Sequence, residues 1–99
     1  MNSSDGVAPW LRERLETELN TVIDHPQTPL QSLMIGNVEQ NEQTFLAYTT
    51  GWVMALAHAH KMHATEEQLG VAEMRDVIGI IQAHQDDLVS AYRRTQSNV

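Results

Sequence analysis

From Leu11 to Ile23 apolar residues return every three or four positions, at Leu11, Leu15, Leu19, Val22 and Ile23, with charged and polar side chains between them. That period belongs to a helix burying one stripe. Pro9 suits its first turn and Pro26 stops it. Thr28, Pro29 and Gln31 then read as N-cap, first turn and capping partner of a short helix over Leu30 to Ile35, which Gly36 ends. Asn37 with Gln40 repeats a cap-like signal and opens a long helix reaching to about His63.

Two unlike rows run side by side along that long helix, in the segment TFLAYTTGWVMALAHAHKM from Thr44 to Met62. Ala47, Gly51, Ala55 and Ala59 are small; Tyr48, Trp52, Leu56 and His60 are bulky and lie beside them. Small residues admit a neighbouring helix and bulky ones need a wall, so the segment is expected to lie between other helices. Thr65 with Gln68 forms a further capping box and opens the last helix. There Met74, Val77, Ile81, His84, Leu88 and Ala91 keep heptad spacing, while Val71, Ile78 and Tyr92 add a second apolar strip.

The expected fold is all-α: a small helical bundle of three main helices plus the short one. The last two long helices turn back on each other around Ala64 as an antiparallel hairpin. Residues 9–94 make the single helical domain, 1–8 a flexible leader and 95–99 a flexible C-terminus. A strand reading of Ser32 to Thr50, turning at Gly36-Asn37, is the competing assignment. At about 1.5 Å per residue each hairpin arm is roughly 40 Å long, and the first helix is little more than half that. It cannot cover both arms, so the uncovered face calls for a second copy of the chain or another protein. The residues expected there are Ala47, Tyr48, Gly51, Trp52, Ala55, Leu56, His60, Ile78, His84 and Tyr92.

Charge narrows the partners. Thirteen acids against six bases give a formal net charge of −7, and no Lys or Arg falls between Arg14 and Lys61. Direct nucleic-acid binding, which needs basic clusters, is disfavoured. Arg12 and Arg14 are spaced to pair with Glu16 and Glu18. With no cysteine in the chain, disulfide frameworks, thiolate metal sites and cysteine nucleophiles are excluded. The longest mostly apolar run, Phe45 to Ala59, is too short to span a bilayer, so a cytoplasmic protein without membrane contact is expected.

Candidate chemistry is thin. His58 and His60 point to nearly opposite sides of a helix; only His60 and His63 are neighbours, and a third ligand is missing. His84 occupies a heptad core position, where an imidazole sets register or titrates on association. Glu39 and Glu42 are expected to face Asp86 and Asp87 as an acidic surface, and Glu73 and Asp76 form another pair three apart. No phosphate-binding glycine loop or nucleophile elbow is present. The sequence therefore points to a non-catalytic acidic interaction module, homodimeric and without cofactor, acting as adaptor, regulator or inhibitor. One variant is a phage or mobile-element inhibitor of a nucleic-acid-handling enzyme. The alternative is a small divalent-metal enzyme or metal-binding bundle using Glu39, Glu42, Asp86 and Asp87, or His60 and His63. A helix-turn-helix over Thr65 to Ile81 fails on its acids.

Overall fold

The computed structural model describes residues 6–96 and contains five helices and no strand among them. The first, α1 (Pro9–Asp24), has proline in its first turn and buries Leu11, Leu15, Leu19 and Val22, as the spacing predicts. Next comes α2 (Gln27–Ile35), which buries Pro29, Leu30 and Leu33; Thr28 lies within it instead of capping it. It ends in a Schellman turn. Asn37 adopts the left-handed φ of 61° and donates its N–H to the Met34 carbonyl at 3.0 Å, while the Val38 N–H reaches Leu33 at 2.8 Å. Asn37 therefore closes α2 and does not open the long helix.

That opening belongs to Asn41. Its Oδ1 accepts the Thr44 N–H and the Thr44 hydroxyl accepts the Asn41 N–H, both at 2.9 Å, so two orphan donors of α3 (Glu42–Thr65) are satisfied reciprocally. At the far end Thr65 is the last helical residue, not an N-cap: its hydroxyl turns back to the Lys61 carbonyl at 2.8 Å, and Glu66 takes the left-handed φ of 60° that breaks the helix. A start follows at Gly70, whose N–H donates to Glu73 Oε1 at 2.9 Å and opens α4 (Val71–Ala83).

The last long helix expected from the heptad spacing is two helices, α4 and α5 (Gln85–Gln96), broken at His84. No proline or glycine causes the break. The His84 N–H shifts to the Ile81 carbonyl at 3.0 Å, a tighter 3₁₀-type bond, and its ring Nδ1 lies 2.9 Å from the Ile80 carbonyl that the shift leaves free. Asp86 and Asp87 sit in the first turn of α5 and Arg93 and Arg94 in its last, each matching the local sign of the helix dipole.

Contacts run from α3 to every other helix. Its buried row is Phe45, Thr49, Val53 and Ala57, which joins Leu11, Leu15 and Leu19 of α1 with Val77, Ile80, Ile81, Leu88 and Tyr92 in one core. Three polar contacts tie the ends together. Glu42 accepts from Arg93 Nε at 3.2 Å, Glu73 from Lys61 Nζ at 2.8 Å, and the Ile23 carbonyl from Arg94 at 3.0 Å. Of the segment expected to be a leader, Val7 is buried and its N–H donates to Asp76 Oδ2 at 2.8 Å. Arg12 Nη2 bonds both oxygens of the same carboxylate at 3.1 Å, so its partner is on α4 and not Glu16. No helix among the described residues is long and apolar enough to cross a membrane.

Candidate functional site

Residues 43–60 of α3 carry no Asp, Glu, Lys or Arg, and the outward part of this stretch is the small row. Ala47, Gly51, Ala55 and Ala59 are all exposed. A Cβ built on Gly51 meets nothing within 4 Å, so no helix of the same chain uses the close approach that the row allows. Burial went instead to the row carrying Phe45 and Val53, whose larger apolar surfaces gain more from leaving water than alanine and glycine can. Ala55, Ala59 and Met62 line a shallow groove on this face. Met62 is 42% exposed.

The bulky row turns to α1 of the same chain. Trp52, 44% exposed, donates its indole N–H to Glu18 Oε2 at 2.7 Å, so Glu18 is engaged across helices and not committed to Arg14. His60 lines a surface hollow with Trp10, Glu13 and Glu18. Tyr48 and Leu56 are half-buried. Two residues expected at an interface are placed otherwise. Tyr92 is core, 8% exposed, its ring tilted against Phe45 with centroids 5.5 Å apart; His84 is the joint between α4 and α5. Ile78 is half-buried at a small hollow shared with Leu46 and Thr50 of α3.

The acidic residues do not gather. Glu42 is taken up by Arg93, Asp86 and Asp87 occupy the exposed first turn of α5, and Glu39 is exposed in the loop before α3. No group of three or more His, Asp and Glu placed to hold a metal ion occurs among the described residues. Glu73 and Asp76 serve the fold: Asp76 holds Val7 and Arg12, and Glu73 is held below the usual carboxylate range, first by the Gly70 N–H and then by Lys61, against the opposing effect of burial.

A feature that spacing alone did not expose lies between α1, α2 and α3. These helices enclose a cleft of about 320 Å³, walled by Val22, Pro29, Tyr48 and Trp52, with Glu18 and His25 at its sides. Thr49, 1% exposed, also lines it, and the Thr49 hydroxyl has no hydrogen-bond partner in the protein. A helical threonine ordinarily bonds back to the carbonyl four residues earlier. Leaving a buried hydroxyl unpaired costs about 1–3 kcal/mol. Comparison with protein-family models, with curated proteins and with solved structures gives no match, so function is argued from these surfaces.

Proposed function

We propose that the chain is a non-catalytic helical interaction module that self-associates through the outer face of α3, leaving the acidic residues dispersed over its other faces for another protein. The supporting observation is the exposed, uncharged row Ala47, Gly51, Ala55 and Ala59. A second copy is the occupant that fits, because a row of small residues without charge complements itself about a two-fold axis and offers a charged partner nothing to pair with. In this reading α3 packs antiparallel to α4 and α5 as a hairpin. The Lys61–Glu73 pair at one end of α3, and the Glu42–Arg93 pair and the Phe45–Tyr92 contact at the other, support that direction. Adaptor, regulator and inhibitor are the roles such a module fills.

Gly51→Leu tests the assignment. A side chain at this position has open space in the single chain, and leucine is a better helix former than glycine. The variant should keep its helix content while light scattering shows the mass falling from dimer to monomer through overpacking at the contact. A wild-type protein that is monomeric at all concentrations, or a Gly51→Leu variant that remains dimeric, overturns the reading.

A further inference from the structure

The cleft between α1, α2 and α3 is formed within one chain, so what it binds does not depend on self-association. Its volume, about 320 Å³, lies at the lower end of small-ligand sites. Its lining mixes two aromatic rings with one carboxylate and contains no Lys or Arg. An anionic ligand would find no permanent cation there, His25 being the single basic group of the lining. Glu18 is already oriented: Oε2 accepts the Trp52 indole N–H at 2.7 Å, which fixes the ring at the rim. Thr49 lines the α3 side of the cleft, and its hydroxyl, closed to solvent, makes no hydrogen bond within the protein.

We propose that this cleft binds a small organic ammonium ion. Trp52 and Tyr48 supply aromatic surface for the cation, Glu18 its counter-charge, and Thr49 an inner oxygen acceptor. Aromatic rings beside a carboxylate are a recurrent solution for cations, since ring faces attract positive charge. The net charge of −7 draws cations toward the protein from a distance. An unpaired hydroxyl in a core is a stability cost with no return in the free chain; a ligand donor would satisfy it.

Three probes share one body and differ in charge: phenethylammonium, 2-phenylethanol and phenylacetate. The readout is the Trp52 indole N–H resonance, distinguished from that of Trp10 with Trp10→Phe. Phenethylammonium should shift it saturably. The alcohol should bind about tenfold more weakly, the scale of one charged hydrogen bond, and the carboxylate more weakly still. Glu18→Gln keeps an acceptor for the indole and should lower affinity for phenethylammonium about tenfold. Thr49→Val should raise the melting temperature of the free protein and yet weaken binding, with Thr49→Ser restoring affinity. A merely structural threonine would leave binding unmoved. Equal affinity for the three probes, no saturable shift, or unchanged binding in both Glu18→Gln and Thr49→Val overturns the proposal.

Discussion

The carboxylate of Glu73 receives two donors, the Gly70 N–H at 2.9 Å and Lys61 Nζ at 2.8 Å, and its side chain is only 15% exposed. Both donors favour the charged form, which is why its pKa is lowered. A group with a lowered folded pKa contributes stability fully above its unfolded pKa, roughly 4.3 for glutamate, and loses it as pH falls through the folded value. Glu73→Gln should therefore cost about 1–2 kcal/mol at neutral pH, the worth of a charged hydrogen bond. The gap between variant and wild type, followed by urea denaturation, should close as the pH is taken well below 4.3. A gap that stays constant with pH would mean that charge at Glu73 contributes nothing. The same residue was visible in the sequence only as half of a carboxylate pair, because one of its partners, Gly70, caps α4 and the other, Lys61, lies on the preceding helix, and spacing reveals neither contact.

Helix α1 was legible because one leucine period is bracketed by two prolines. The all-helical class followed from such periods. Boundaries and faces were less legible. Both Asn37 and Asn41 are acceptable caps by type, and only the left-handed turn at Asn37 separates the two roles. In α3 the small and bulky rows are the most regular, yet Phe45, Thr49, Val53 and Ala57 form the core, while Trp52 is held at the rim by Glu18 of α1. The break at His84 carries no proline or glycine signal. As for the cleft, Glu18 and Trp52 stand 34 residues apart, a pairing that no local pattern announces. Gly79 sits in the middle of α4, exposed, with nothing within 4 Å of a built Cβ. Gly79→Ala should stabilise the protein by about 0.5–1 kcal/mol, by removing backbone freedom from the unfolded chain. A loss of stability in denaturant titration would mean that another surface covers this position.

For the whole molecule, charge would oppose the proposed self-association. Each copy carries −7, so two copies repel, while the outer face of α3 offers contact over a stretch free of formal charge from Gln43 to His60. Salt separates the contributions. Raising ionic strength from about 0.01 M to 0.15 M shortens the screening length from roughly 30 Å to 8 Å. Repulsion between the acidic surfaces fades across that range, and contact across an apolar face is not weakened by it. Self-association through α3 should therefore tighten as salt rises, which sedimentation at a series of salt concentrations would show. Docking of the acidic surface on a basic channel, the arrangement of an inhibitor that imitates nucleic acid, should do the reverse, its association rate falling steeply over the same range. Dimerisation that weakens with salt would place charged side chains in the interface between copies and remove the small row of α3 as its centre.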